Sequence, residues 1–499
     1  MKISTYLILT LGLAMAAFVS PAQAVQAQDN PVEYGLDGVV KNGTIDTRIG
    51  KLAFENGYPS RESVVKLFDA MDFQRATQAY IWALPIVAMA EWQAVHEAQF
   101  EAQDRDIVVY MTTEEKLGIL TSNATTPYVI AFNDLDRSGP LVIDVPTGPT
   151  GGLVNDFWQR PVIDLGLAGP DKGKGGKYLI LGPGQEKPEG VEVDYVYESG
   201  TMNILYGIRI LTPDPEEGKR LLDSFRAYPA SSPGDGQQYA DVKGEWFQYQ
   251  PRGLKYWERL HTIYQREPIA ERDRFMVASL KFLGIEKGKP FSPDARQKKL
   301  LEEAALVGEA MAQANSFESR FPGVKYRDDA SWEYVIFLDP SQRVGDHEQL
   351  DERAAYTYEA ATTSAGMTTK TPGVGQAYLG GYRDKDGDWL DGNKNYKLTI
   401  PPNPPMKQFW SITVYSQATR CLINNGTGRA DRSSRHELVK NRDGSVDLYF
   451  GPDKAPKGTE NNFVKTIAGE GFFVYLRLYA PTEPYFDRSW SLPDIEKVK

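Results

Sequence analysis

Residues 105–215 and 372–499 are broken every few residues by Gly, Pro and Asp turns, with short apolar runs between them. A stretch punctuated this often does not sustain long helices and folds as strands joined by turns. In the first stretch the runs are 128–132, 141–145, 177–181, 191–197 and 203–211, closed by Pro213-Asp214-Pro215. In the second, residues 409–415, 445–450 and 472–479 alternate apolar and polar, and Asp443-Gly444 is a hairpin signal before one of them. Between the two stretches, residues 216–225, 254–264, 270–283, 292–317 and 351–365 place apolar side chains three and four apart, the helical period. Upstream, Ser60 can cap a helix starting at Arg61, and residues 79–90 are apolar almost all round, which predicts a helix buried on most faces and kinked at Pro85. The expected class is α+β: two antiparallel β domains joined by a helical middle.

Charge and cysteine content narrow the functional classes. Acidic residues number 67 and basic residues 56, with no basic block, so binding to nucleic acid is not expected. Cys421 is the single cysteine, so an intrachain disulfide and any cysteine-built zinc or iron–sulfur site are excluded. Lys2, an uncharged apolar run over 6–19 and the small-residue site Ala22-Gln23-Ala24 read as a cleavable secretory leader, residues 1–24. The run is short for a membrane span, and no later stretch reaches 18 apolar residues. The expectation is an exported chain, periplasmic or secreted, with a polar, loosely held arm over 25–60.

Familiar catalytic signatures are missing. The four histidines, His96, His261, His347 and His436, lie far apart, and none belongs to an H-E-x-x-H pair. There is no G-x-S-x-G elbow, no P-loop spacing and no G-x-G-x-x-G after a strand. Three constellations remain. Asp384, Asp386, Asp388 and Asp391 sit in a Gly-containing turn, where alternate carboxylates can chelate Ca²⁺ or Mg²⁺, or simply make a solvated turn. Asn155, Asp156, Trp158 and Arg160 follow the pair Gly151-Gly152; Asp156 and Arg160 can orient a ligand or form a structural pair. On the run 472–479, one face carries Phe472, Val474, Leu476 and Leu478, and the other Phe473, Tyr475, Arg477 and Tyr479. An arginine among aromatics can line a pocket for an anionic or polar ligand, or can pack on its neighbours as structure.

The chain resembles a bacterial two-domain family of domains of unknown function, numbers 1254 and 1214. The N-terminal resemblance rests on residues 80–85, the turn Asn123-Ala124-Thr125-Thr126-Pro127-Tyr128, Asp134-Leu135, Gly139-Pro140, Val145-Pro146 and Gly182-Pro183. The C-terminal one rests on Gln376-Ala377-Tyr378-Leu379, Asp386-Gly387, Leu390-Asp391-Gly392, Asn395-Tyr396, Pro404-Pro405, residues 409–415, Asp443-Gly444-Ser445 and Arg477-Leu478-Tyr479. The resemblance implies two jelly-roll-like β-sandwiches plus a helical region, divided as 61–215, 216–371 and 372–499, and carries no activity or cofactor with it. This chain departs from the family in placing Thr125 where many relatives carry an acid, and Asn462-Phe463-Val464 where many carry Asn-Trp-Leu.

The functional expectation is an exported envelope protein that binds a small molecule between a β domain and helices, with a hydrolase-like activity as an extension. The alternative is a non-catalytic structural or interaction protein of the envelope. No cofactor is evident beyond a candidate divalent cation at the Asp384–Asp391 turn. A homo-oligomer is an expected partner arrangement for so aromatic a chain.

Overall fold

The computed structural model describes residues 32–35, 37–234 and 237–498. The expected leader, residues 1–24, and the start of the arm lie outside the described residues. The chain divides into two compact units, up to Met71 and from Asp72 onward. The fold is mixed α+β, with strands gathered into several sheets.

In the first unit, the stretch expected to be a loosely held arm is a four-stranded antiparallel sheet instead. Its strands are Glu33–Tyr34, Val40–Thr47, Gly50–Glu55 and Tyr58–Pro59, paired in chain order. The hairpin closes at Gly50, whose φ of 97° suits glycine, and the Thr47 hydroxyl donates to the Gly50 carbonyl at 2.7 Å. Its strands are largely polar, with Leu52 buried, so composition hid them. Ser60 caps the following helix by accepting from the Ser63 amide at 3.2 Å.

Helix Arg61–Ala98 is continuous for 38 residues with Pro85 inside it. From Ala79 to Ala90 every side chain is buried, as an all-round apolar helix requires. Each large side chain so removed from water contributes about 1.5–3 kcal/mol. In the second unit this core also collects helices Leu254–Arg266 and Ala295–Phe317.

The first β region of that unit has two sheets. The six-stranded sheet runs Tyr239–Ala240, Ile107–Tyr110, Tyr128–Asp134, Asn203–Ile210, Thr150–Asp156, Pro161–Gly166. The four-stranded sheet runs Tyr195–Glu198, Gly176–Leu181, Leu141–Val145, Arg226–Pro229. Val129, Ala131, Tyr206 and Ile208 of the first share a core with Ile143, Val145, Tyr178 and Ile180 of the second. The alternate residues Ile130, Phe132 and Leu205 pack on the helical core. Arg209 belongs to that outward set by strand period.

The second β region repeats the arrangement. Its five-stranded sheet runs Glu333–Tyr334, Gln376–Gly381, Phe472–Tyr479, Trp410–Ser416, Asp431–Ser433. Its four-stranded sheet runs Phe463–Lys465, Val446–Gly451, Asn395–Ile400, Glu496–Val498. Leu398 and Leu448 meet Ile412, Val474 and Leu476 in one core. The other face of strand Phe472–Tyr479 is buried too, but against the rest of the protein.

One helix boundary differs from expectation. The helix foreseen over 351–365 is Leu350–Glu359. It stops because residues 362–363 are bound elsewhere: the Thr362 amide donates to Gln159 Oε1 at 2.8 Å, and Asn155 exchanges bonds with the Thr363 carbonyl and amide at 2.7 and 3.1 Å. Thr362 takes a φ of 65° to make that turn.

Candidate functional site

Strand period turns Tyr475, Arg477 and Tyr479 toward the outward face of the first β region. Tyr378 and Gln376 stand beside them, because Tyr378 registers with Arg477 and Gln376 with Tyr479. A cavity of about 120 Å³ lies between the two faces. Its polar wall includes Arg209, Arg477, Tyr128, Tyr378 and Gln376; its apolar wall includes Trp92, Ile119, Ile130, Leu153 and Leu205. The segment Ala360 to Thr362, Ser364, Gly366 and Met367 completes the lining. Asp164 anchors that segment by accepting from the Gly366 amide at 2.7 Å, and burial pushes its carboxyl up to about 6.

Arg477 is 3% exposed. Its guanidinium donates to the Thr413 hydroxyl at 3.1 Å, the Tyr415 hydroxyl at 2.5 Å and the Thr121 carbonyl at 2.5 Å. The rings of Tyr378, Tyr415 and Tyr475 lie 5.4–5.6 Å from its central carbon. Arg209 makes one bond, to the Tyr479 hydroxyl at 3.3 Å, and lies 5.8 Å from the Tyr128 ring and 5.9 Å from that of Tyr479. Tyr479 is held in turn by the Asn123 side-chain amide.

Both guanidiniums stay charged at any ordinary pH. The groups acting on them are phenols and each other; among the described residues no carboxylate pairs with either. Arg477 is buried and Arg209 half-buried, and an ion withdrawn from water without a counter-charge costs several kcal/mol when fully buried and less when partly so. The two beside one cavity make a strongly electropositive pocket.

The other sequence candidates lie elsewhere. Asn155 is fully buried in its bonds to Thr363. Asp156 and Arg160 pair with each other, Nε to Oδ2 at 2.7 Å. Trp158 packs 5.0 Å from Trp82, between the guanidiniums of Arg272 and Arg353 at 5.7 and 5.2 Å. This group joins the end of a strand to the segment that lines the cavity, and it is not gathered with Arg477.

The Asp384–Asp391 turn is built around an ammonium. Lys497 Nζ lies 3.0 Å from Asp384, 3.0 Å from Asp386 and 2.7 Å from Asp388, and these bonds raise its pKa above the usual lysine range. Asp391 accepts from the Asn393 amide at 2.9 Å. Among the described residues, no group of three or more His, Cys, Asp or Glu side chains is placed to hold a metal ion. The cation in this turn is supplied by the chain itself.

Sequence reading missed Arg209, although the signal was there. Ile208 and Ile210 flank it as Leu476 and Leu478 flank Arg477, a lone cation on the opposite face of an apolar strand. At the departure noted in the 123–128 turn, the Thr125 hydroxyl donates to Asp431 at 2.9 Å, so a carboxylate does reach that turn from the second β region.

Residues 107–256 match the model of a protein family of unknown function, DUF1254, and residues 375–483 match a second, DUF1214. The chain belongs to this two-domain family. Among solved structures, the VPA0106 protein of Vibrio parahaemolyticus is 17% identical over 86% of this chain and 100% of its own, with a TM-score of 0.56, a likeness of fold. An uncharacterized protein from Burkholderia cenocepacia is 12% identical over 87% of this chain and 96% of its own, with a TM-score of 0.39. No curated protein matches the chain. Among the described residues no helix is long and apolar enough to cross a membrane.

Proposed function

We propose that this family member is an exported protein that binds a small organic anion in the cavity between its two β regions. The observation that carries the reading is the pair Arg209 and Arg477, two guanidiniums at one cavity with no carboxylate partner among the described residues. A ligand carboxylate supplies the missing counter-charge; at an effective dielectric constant near 20, one such contact at 4 Å is worth about 4 kcal/mol before desolvation. The apolar wall takes the rest of the molecule. At about 120 Å³ the cavity is somewhat smaller than the engineered void of about 150 Å³ that holds benzene, so a single ring with its carboxylate set against the arginines is the upper limit of what it takes, and benzoate probes that limit. We read each pair of sheets as a sandwich of jelly-roll type, with the cavity lying outside both sandwiches, where loops and helices complete it.

Calorimetric titration with benzoate and with the neutral benzyl alcohol tests the reading. Benzoate binds and benzyl alcohol does not, and Arg209→Met weakens benzoate at least tenfold. Equal binding of the two compounds, or undiminished benzoate binding by a folded Arg209→Met and Arg477→Met pair, refutes it. Export is tested by N-terminal sequencing of the protein from a periplasmic fraction; a mature start after Ala24 supports it, and an intact leader in the cytoplasm overturns it.

A further inference from the structure

Three side chains link the arginine cavity to a second one. Glu359, the last residue of helix Leu350–Glu359, is 2% exposed. Its Oε1 accepts from two phenols, Tyr475 and Tyr382, each at 2.6 Å. Tyr475 lines the arginine cavity. Tyr382 lines a groove of about 450 Å³ beside the end of helix Ala295–Phe317, whose wall includes the exposed Trp389 and Glu318, so that the groove meets solvent.

The carboxyl group is placed to hold either a charge or a proton. Glu359 Oε2 and the Ser316 hydroxyl oxygen are buried side by side, and the hydroxyl, both donor and acceptor, serves the ionised carboxylate by donating to it and the protonated group by accepting from it. Among the described residues no cation pairs with the carboxylate: Arg420 acts on it from a distance, held over the Tyr358 ring at 4.1 Å and near Glu309 at 3.8 Å. The other groups facing it are the phenol of Tyr356 on its own helix and the carboxyl of Glu333 on the edge strand, a like charge. Burial pushes Glu359 up to about 7, and burial with Glu359 nearby pushes Glu333 to about 7 as well.

We infer that Tyr382, Glu359 and Tyr475 form a proton chain that loads one proton onto Glu359 from the groove when an anion enters the arginine cavity. This rests on the anion reading above. The step balances simply. Tyr382 passes its phenolic proton to Glu359 Oε1 while taking one from groove water, the buffer acid returns a proton to the hydroxide so left, and rotation of the carboxyl group carries the proton to the Ser316 side. No ligand bond is made or broken. The driving force is charge: an anion and an ionised Glu359 repel within a poorly solvated space, and protonation removes one of the two.

The test is calorimetric titration of benzoate into the full chain in two buffers of different ionisation enthalpy, from about pH 6 to pH 8.5. If binding raises the Glu359 pKa by about one unit from about 7, uptake peaks near half a proton per benzoate and affinity falls about sevenfold across the range. Glu359→Gln, whose amide can still accept from both phenols and donate to Ser316, binds benzoate without uptake and without pH dependence. Glu333→Gln retains the uptake. Binding by the unaltered protein without uptake, or uptake that survives in Glu359→Gln, overturns the chain and leaves the anion reading standing. Infrared difference spectra of the ligand-free protein at about pH 6, below the raised Glu359 pKa, provide the second arm: a protonated-carboxyl band, lost in Glu359→Gln, that exchanges deuterium more slowly in Tyr382→Phe. If benzoate does not bind, the anion reading and its coupling to Glu359 fall while the band still shows Glu359 taking its proton through Tyr382; absence of the band at about pH 6, or unchanged exchange in Tyr382→Phe, refutes the chain.

Discussion

Replacing Arg209 with methionine should stabilise the ligand-free protein while weakening its hold on an anion. Methionine keeps the length of the side chain and removes its charge. The change gives up one hydrogen bond at 3.3 Å, worth about 0.5–1.5 kcal/mol. It also gives up two ring contacts at 5.8 and 5.9 Å, near the outer limit of cation–π attraction and worth about 0.5 kcal/mol each. Against that loss of about 1.5–2.5 kcal/mol stands the cost of an unpaired, partly desolvated cation, about 3 kcal/mol or more. Repulsion from Arg477 adds to this. The net expectation is a gain of about 0.5–1.5 kcal/mol before that repulsion, read as a higher Tm without ligand. With benzoate present the order reverses as the unaltered protein gains ligand stabilisation. Arg477→Met serves as the contrast. It leaves the Thr121 carbonyl and the Tyr415 hydroxyl without their donor and destabilises by about 1–3 kcal/mol. A lower ligand-free Tm for Arg209→Met, by an amount matching Arg477→Met, refutes the reasoning, because it means Arg209 already has a partner equal to its charge.

Three further outcomes follow from local geometry. Lys497→Gln removes the ammonium from among Asp384, Asp386 and Asp388; the variant's Tm falls at neutral pH and recovers on adding Ca²⁺, whereas the unaltered protein ignores both Ca²⁺ and a chelator. The raised lysine and the lowered Asp388 place the ion pair's contribution between the acid range below about pH 4 and the alkaline range above about pH 10.5, so the variant and parent converge at low pH. Asp164 has a raised folded-state pKa of about 6, so its stabilising proton is present below the unfolded value near 3.8 and lost as pH rises through about 6; Asp164→Asn keeps the acceptor for Gly366 and is more stable than the parent above pH 6, measured by denaturant titration across pH. Cys421 is buried and its thiol is pushed up to about 12, so a disulfide reagent titrates no thiol in the native protein and one in guanidinium chloride.

Much of the fold was legible because strand and helix periods are local. The alternation of residues 472–479 places Arg477 on one face whatever it meets there, and the same rule applied to residues 203–211 isolates Arg209. Neither pattern says what stands opposite. Arg477 meets the Thr121 carbonyl, 356 residues away in sequence, and Glu359 meets the Tyr475 hydroxyl 116 residues away. The missed helix end is the same problem in another form. Apolar spacing continues past Glu359, and the helix stops only because Asn155 and Gln159, some two hundred residues earlier, claim the backbone of residues 362 and 363. That early stop is what frees Ala360, Thr362 and Ser364 to line the cavity and leaves Glu359 at a helix end within reach of two phenols. Asn155, singled out from sequence as a candidate ligand residue, therefore bears on the cavity through its shape: by ending a helix where it does, it positions the wall that a ligand would touch. Asn155→Ala should accordingly alter the cavity without removing any group that lines it, and the Thr363 amide and carbonyl it leaves without a partner are where that change would begin.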